Sequence, residues 1–288
     1  MIAGRGNLGR SLARAFRSAG HHVLLTRARG GAASLARALV TRPRAAVFLT
    51  VPDSHVASLA AEISAAVRAA PRGVAFAHTS GALQLDALDA LSRDHPVGSF
   101  HPLQSFPRPR APEAFAGIVV AVDARSPALE RRLQRLARDL GAHPRVVRDA
   151  DRAVYHAAAV FASNFVIALV HQAVGLLGEI GWNPGEAARG LRPLMELALD
   201  GALERGPTAA LTGPIRRGDA ETVMRHVEVL AALDAGRGGG ARPLEVYRML
   251  GSITLEIARQ AGLEPAAAEQ IARALTRNVA ATRRRRQR

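Results

Sequence analysis

The sequence predicts an α/β domain built on a doubly wound sheet, followed by an all-α domain. Three observations carry this. The chain opens on Met1-Ile2-Ala3-Gly4-Arg5-Gly6-Asn7-Leu8-Gly9, a short apolar strand running into G-x-G-x-x-G. Strand and helix patterns then alternate as far as Arg148. Beyond Arg148 the strands stop and only helical periodicity continues. These shifts place the α/β domain at residues 1–148, the helical domain at 149–280 and a solvated, disordered arginine-rich tail at 281–288.

Taken in order, the first helix is marked by apolar residues at 8, 12, 15, 16 and 19, and it stops at Gly20. Each fingerprint glycine has a physical role. Gly4 permits the tight turn, Gly6 removes a side chain where a pyrophosphate would approach the backbone, and Gly9 lets helix and strand pack closely. Asn7 and Leu8 open the helix, whose free N–H groups would face the phosphates. The strand before Gly4 has three residues, where about five or six are usual. Either a shortened first strand or a start codon assigned too late is expected to account for it.

His21 to Thr26 reads as the second strand, ending in Arg27-Ala28-Arg29-Gly30-Gly31. A site for NAD places a carboxylate at this strand's end to accept the ribose 2′-hydroxyl. Here the position offers Thr26 and Arg27, with Arg29 beside them, and a guanidinium suits a 2′-phosphate. The expected cofactor is therefore NADP(H).

A short helix over 33–39 leads to the buried parallel strand 45–51, then to Pro52-Asp53-Ser54-His55, where Asp53 or Ser54 is placed to cap a helix over 56–70. Residues after a parallel strand's carboxyl end lie on the cofactor side, so Val51 and Pro52 should flank the dinucleotide. Strand 73–78 leads to Thr79-Ser80-Gly81, with Ser80 a candidate contact to the cofactor. After a helix over 83–91, strand 97–100 delivers His101-Pro102-Leu103-Gln104-Ser105-Phe106 to the same edge. Strand 118–123, an amphipathic helix from Pro127 to Leu140 and strand 144–147 complete the domain. One long apolar helix over 150–180 follows, then helices near 185–204, 219–232, 243–262 and 265–278.

Composition excludes several chemistries. The hydrophobic fraction of 48% supports a real core, and no apolar run is read as long enough for a membrane span. With no cysteine there are no disulfides, thiolate metal sites or cysteine nucleophiles. All 39 basic residues are arginine, so Schiff-base and lysine acid/base mechanisms are absent too. The net charge of +15 would ordinarily point to nucleic acid, but the arginines are spread along the chain and cluster only at Arg283 to Arg286, so no nucleic-acid role is expected. The ten histidines show no H-x-x-x-H or H-E-x-x-H spacing, and no metal is expected.

Three further blocks join the N-terminal fingerprint: His101 to Phe106, Tyr155-His156-Ala157-Ala158-Ala159-Val160-Phe161-Ala162-Ser163-Asn164, and Leu211-Thr212-Gly213-Pro214-Ile215-Arg216-Arg217-Gly218-Asp219. Their order and spacing resemble a family of predicted oxidoreductases with a Rossmann-like domain and a C-terminal domain of unknown function. That family is similar to pyrroline-carboxylate reductase, the 6-phosphogluconate and β-hydroxyacid dehydrogenases, and ketopantoate reductase. The resemblance implies an NADP-binding Rossmann-like sheet, a helical dimerising domain of the 6-phosphogluconate dehydrogenase C-terminal type, and a small-molecule substrate. A cytoplasmic homodimer that does not bind membranes is expected with it.

The chain departs from the β-hydroxyacid dehydrogenases where those would place a catalytic lysine, with an asparagine about one turn later. This helix offers Tyr155, His156 and, further on, Asn164. At about 3.6 residues per turn, His156, Ser163 and Asn164 form one polar stripe on an apolar helix. His156 is the expected proton donor, since imidazole titrates near working pH. His101 should meet the nicotinamide from its strand's end, and Tyr155 is an alternative acid. Ser105 offers a loop hydroxyl, and Arg216 with Arg217 could hold an anionic substrate. The expected activity is hydride transfer to or from a small carbonyl, imine or hydroxyacid. The rival reading, sharpened by the missing lysine, is a non-catalytic NADP-binding sensor.

Overall fold

The computed structural model describes residues 1–28, 30–67, 71, 73–236 and 242–278. Two compact units, Met1–Val166 and Ile167–Arg288, divide inside the long helix that follows the sheet. Tyr155, His156, Ser163 and Asn164 therefore belong to the same unit as the sheet. Arg29, the end of the helix expected over 56–70 and the 281–288 tail lie at or beyond the limits of the described residues.

The first unit holds seven strands: β1 Ile2–Ala3, β2 Leu25–Thr26, β3 Ala46–Leu49, β4 Ala75–His78, β5 Val97–Pro102, β6 Val119–Ala124 and β7 His143–Val146. Their order in the sheet is β2-β1-β3-β4-β5-β6-β7. All neighbours are parallel except β5 and β6, which pair antiparallel. The order reverses between β1 and β3, and such a switch point leaves a crevice outside the strands' carboxyl ends. The expected second strand over 21–26 shrinks to two residues, because β1 offers only Ile2 and Ala3 as pairing partners.

Period-2 alternation packs both faces. Ile2, Phe48 and Phe100 join the cluster with Leu12 and Phe16 of α1 (Asn7–Ser18) and Leu133 of α5 (Pro127–Asp139). Ala3, Val47, Leu49 and Phe76 face the other way, onto α2 (Ala32–Leu39) and α3 (Val56–Ala66) through Leu35, Leu39, Val56 and Ile63. Phe16 stacks on Phe48 at 5.4 Å, and Phe48 meets Phe100 edge-on at 5.0 Å. Where one helix over 83–91 was expected, a 3₁₀ turn Leu85–Leu88 precedes the single-turn α4 (Asp89–Ser92). Neither Asp53 nor Ser54 caps α3 with its side chain: Asp53 accepts from Ser80 at 2.8 Å, and Ser54 pairs with His55.

The long helix is α6 (Arg152–Val160), a π-helical turn at Phe161–Phe165, and α7 (Val166–Gly178). One expectation needs correction. Within Asp149–Gly178 the mean hydropathy reaches 1.8, so by length and composition this run is sufficient to cross a membrane. None of its most apolar window is buried. The core helix of a soluble protein passes the same test of length and composition.

The second unit continues with α8 (Pro184–Arg205), α9 (Pro207–Ala210), α10 (Pro214–Arg217), α11 (Ala220–Gly236), α12 (Pro243–Gln260) and α13 (Pro265–Thr276). Asn183 and Glu186 form a reciprocal capping box at the start of α8. Asp219 caps α11, accepting from Thr222 N at 3.0 Å. Ile215, Val223, Leu255, Ile271 and Leu275 form this unit's core.

The turn between β1 and α1 is clasped against β3. A Cβ on Gly4 (φ +132°) would lie 2.4 Å from Thr50 O, and one on Gly9 would lie 2.2 Å from Gly4 O and 2.5 Å from Thr50 Oγ1. Gly9→Ala should cost about 1–3 kcal/mol by overpacking. The check is thermal unfolding, in which the midpoint should fall by several degrees; an unchanged midpoint would contradict the close packing.

Candidate active site

The crevice at the switch point opens into a cavity of about 410 Å³, lined by Gly6, Asn7, Leu8, Thr50, Val51, Pro52, Asp53, Thr79, Ser80, Gly81, His101, Phe106 and His156. Gly6, Asn7, Leu8, Val51, Pro52, Ser80, His101 and His156, all singled out from the sequence, thus converge here. A larger hollow lies at the strands' other end, beside Met1, Arg42, Arg44 and Arg132, away from the glycine fingerprint.

One wall is the fingerprint turn. Gly4 and Gly9 are buried and serve packing, whereas a Cβ on Gly6 would meet nothing within 4 Å. Gly6 precedes α1 without a side-chain cap, and no acidic residue stands in the helix's first turn. That combination leaves a helix N-terminus suited to an anion. Asn7 is turned to the far wall, donating from Nδ2 to Pro107 O at 2.9 Å. At the end of β2, Thr26 is buried and its hydroxyl lies 3.4 Å from Ile2 O, while Arg27 is exposed.

The second wall is the loop after β4. Ser80 Oγ donates to Asp53 and accepts from Ala82 N at 3.1 Å and Leu83 N at 3.0 Å. Its hydroxyl is thus engaged in shaping the loop. The third wall is imidazole. His101 and His156 lie with ring centroids 6.4 Å apart, nearly edge to face. Both press on Gly81: a Cβ there would be 2.9 Å from His101 Nε2 and 2.9 Å from His156 Nδ1. Only glycine leaves room for the two rings to converge. His156 Nδ1 is buried with no hydrogen-bond partner among the described residues.

Ser163 and Asn164 are not brought to this cavity. They sit exposed in the π-helical turn, which winds more widely than the regular helix assumed for the polar stripe. Ser105 lies exposed on the loop after β5. Arg216 and Arg217 belong to the second unit, where Arg216 donates to Ala261 O at 3.0 Å.

Residues not singled out from the sequence complete the site. Arg152 is 1% exposed. It donates to Asp149 at 3.0 Å, to Ser80 O at 3.4 Å and to Ser99 Oγ. It thereby fixes the start of α6 against β5 and the loop carrying Gly81. Its signal was present: Arg152, Tyr155 and His156 are spaced i, i+3, i+4 on one helix face. Tyr155 Oη lies 2.9 Å from His101 Nδ1.

Burial sets the electrostatics. His101 falls from 6.5 to about 4 through desolvation, aided by His156 and Arg152 and opposed by Asp53. His78, fully buried, falls likewise to about 4 through desolvation and then Arg152. Desolvation also pushes Tyr155 up to about 12.

A histidine that stays neutral when folded refuses a proton that the unfolded chain accepts. Stability is therefore full above the ordinary value of 6.5 and is lost as pH falls towards about 4. Urea unfolding across this window should show that slope, and His78→Leu should make it shallower; equal slopes would show that His78 titrates normally.

Residues 118–254, from β6 into α12, match a family described as a domain of unknown function, DUF2520. No curated protein matches the chain. Among solved structures, a "putative NADP oxidoreductase" of Bacteroides fragilis is 22% identical, with a TM-score of 0.66, covering 90% of this chain and 96% of its own. A Thermotoga maritima protein is 20% identical, with a TM-score of 0.62 and coverage of 96% and 99%. Plasmodium falciparum pyrroline carboxylate reductase, solved with NADP bound, is 10% identical, with a TM-score of 0.54 and coverage of 96% and 98%. These likenesses show the fold. The resemblance read from the sequence is borne out in those terms: the chain has a Rossmann-like fold, and its residues 118–254 match the domain of unknown function DUF2520.

Proposed function

We propose that this protein is an NADP(H)-dependent oxidoreductase of a small carbonyl, imine or hydroxyacid compound. The observation that carries the reading is the shared cavity: the uncapped fingerprint turn and two converging imidazoles line the same space at the switch point. The names of the structural neighbours, an NADP oxidoreductase and a reductase with NADP bound, support it.

The residues present fit a dinucleotide. Gly6 and the start of α1 would hold the pyrophosphate through backbone N–H groups, and Val51 and Pro52 would flank it. Thr26-Arg27-Ala28 offers no carboxylate for a ribose 2′-hydroxyl, and exposed Arg27 suits a 2′-phosphate. The cofactor, when bound, supplies or takes the hydride. His156 is the proton donor in this reading, its unpartnered Nδ1 turned to the space over Gly81. His101 supplies the second polar contact there.

Fluorescence titration with NADPH and NADH tests the cofactor. NADPH should bind about tenfold more tightly, one decade being about 1.4 kcal/mol, and Arg27→Ala should erase the difference. Binding of neither would overturn the enzyme reading. NADPH binding without turnover on any carbonyl or imine would favour the sensor.

We further propose a homodimer. The helices leave large side chains uncovered, among them Phe161 and Ile167 on the long run, Leu194, Leu197 and Leu203 on α8, and Met249 and Ile253 on α12. Leu203 is 84% exposed. Apolar surface on this scale calls for a partner. Sedimentation at micromolar concentration should give a dimer that Leu197→Glu weakens; a wild-type monomer would refute it.

A further inference from the structure

We propose that Tyr155 donates its hydroxyl hydrogen to His101 Nδ1, fixing His101 as the Nε2–H tautomer and making it a hydrogen-bond donor aimed at the space over Gly81. This rests on the oxidoreductase reading for its purpose, though not for its geometry. Tyr155 thereby becomes a positioning residue rather than the alternative acid suggested by its sequence position.

The geometry comes first. Tyr155 Oη and His101 Nδ1 are 2.9 Å apart, and the two rings stand at 89° with centroids 5.6 Å apart. His101 lies in β5 and Tyr155 in α6, so the contact links the sheet to the helix that carries His156. With Nδ1 engaged by Tyr155, the other nitrogen, Nε2, is left beside Gly81 and turned towards His156.

Polarity of the bond follows from chemistry. A neutral imidazole has one N–H donor and one bare nitrogen, and the bare nitrogen is a far stronger base than a phenol oxygen. An O–H···N bond is therefore favoured over N–H···O. Burial reinforces this by keeping Tyr155 protonated, with a hydrogen to give. The charged and titratable groups that act on His101 are His156, Arg152 and Asp53. Burial chiefly, then His156 and Arg152, oppose a second proton on the ring, so His101 stays neutral and one ring nitrogen remains bare to accept.

A division of labour results. A substrate oxygen or nitrogen seated over Gly81 would accept from His101 Nε2–H, which orients it without releasing a proton. Proton transfer to that atom is left to His156, whose Nδ1 converges on the same space. One ring holds and the other transfers.

The test is long-range proton–nitrogen NMR of the full chain labelled with ¹⁵N-histidine, without cofactor, from about pH 5 to 9. His101→Gln assigns the signals. The wild type should show a bare Nδ1 and a protonated Nε2 throughout. Tyr155→Phe should give averaged tautomers and a titration moved upwards. A protonated Nδ1 with a bare Nε2 in the wild type would overturn the proposal without any variant. So would unchanged shifts in a folded Tyr155→Phe. An NADPH titration on the same samples separates the two readings: lost binding with the expected tautomer sinks the oxidoreductase alone, and retained binding with the opposite tautomer sinks the dyad alone.

Discussion

Thr50 closes the turn on which the α/β unit is built. Its hydroxyl donates to Gly4 O at 3.1 Å, and its backbone N–H donates to Ala3 O at 2.9 Å. Gly4 and Gly9 leave no room for a methyl group against it. This three-way approach holds the end of β1, the start of α1 and the end of β3 within contact distance. Because β1 pairs through only two residues on either side, the clasp contributes much of what fixes that strand's register. It also sets where the helix N-terminus points.

Around that turn the protein buries more polar chemistry than a core tolerates without compensation. Arg152 is satisfied by Asp149, Ser80 and Ser99, and its guanidinium stands close enough to His78 and His101 to disfavour their protonation. Neutral imidazoles are cheaper to bury than charged ones and keep a donor and an acceptor each. Burial, aided by that cation, keeps the neighbouring rings in the form useful for hydrogen bonding, and Arg152 also positions the loop carrying Gly81.

The helical part follows a different logic. Its core sets Ile215, Val223, Leu255, Ile271 and Leu275 among the small Ala258, Ala268 and Ala274. Other large apolar side chains of its helices, Leu197, Leu203 and Met249 among them, are exposed. The run Asp149–Gly178 joins high hydropathy to a window with no burial.

The sequence by itself determined the succession of strands and helices, the fingerprint turn, the switch to helices after the sheet, and the convergence of His101 with the glycines. These follow from local rules: periodicity, glycine's freedom and the placement of residues after parallel strands. The sequence misjudged what depends on neighbours. Strand β2 is short because its partner is short, the 83–91 segment splits because its backbone is shared with a 3₁₀ turn, and Ser163 and Asn164 leave the expected stripe because a π turn changes the winding. Only the tertiary structure could pair Tyr155 with His101, 54 residues apart, bury Arg152 beneath the site or show that Gly81 makes room for two rings. Distances between side chains on different elements are set by packing, and packing is a property of the folded whole.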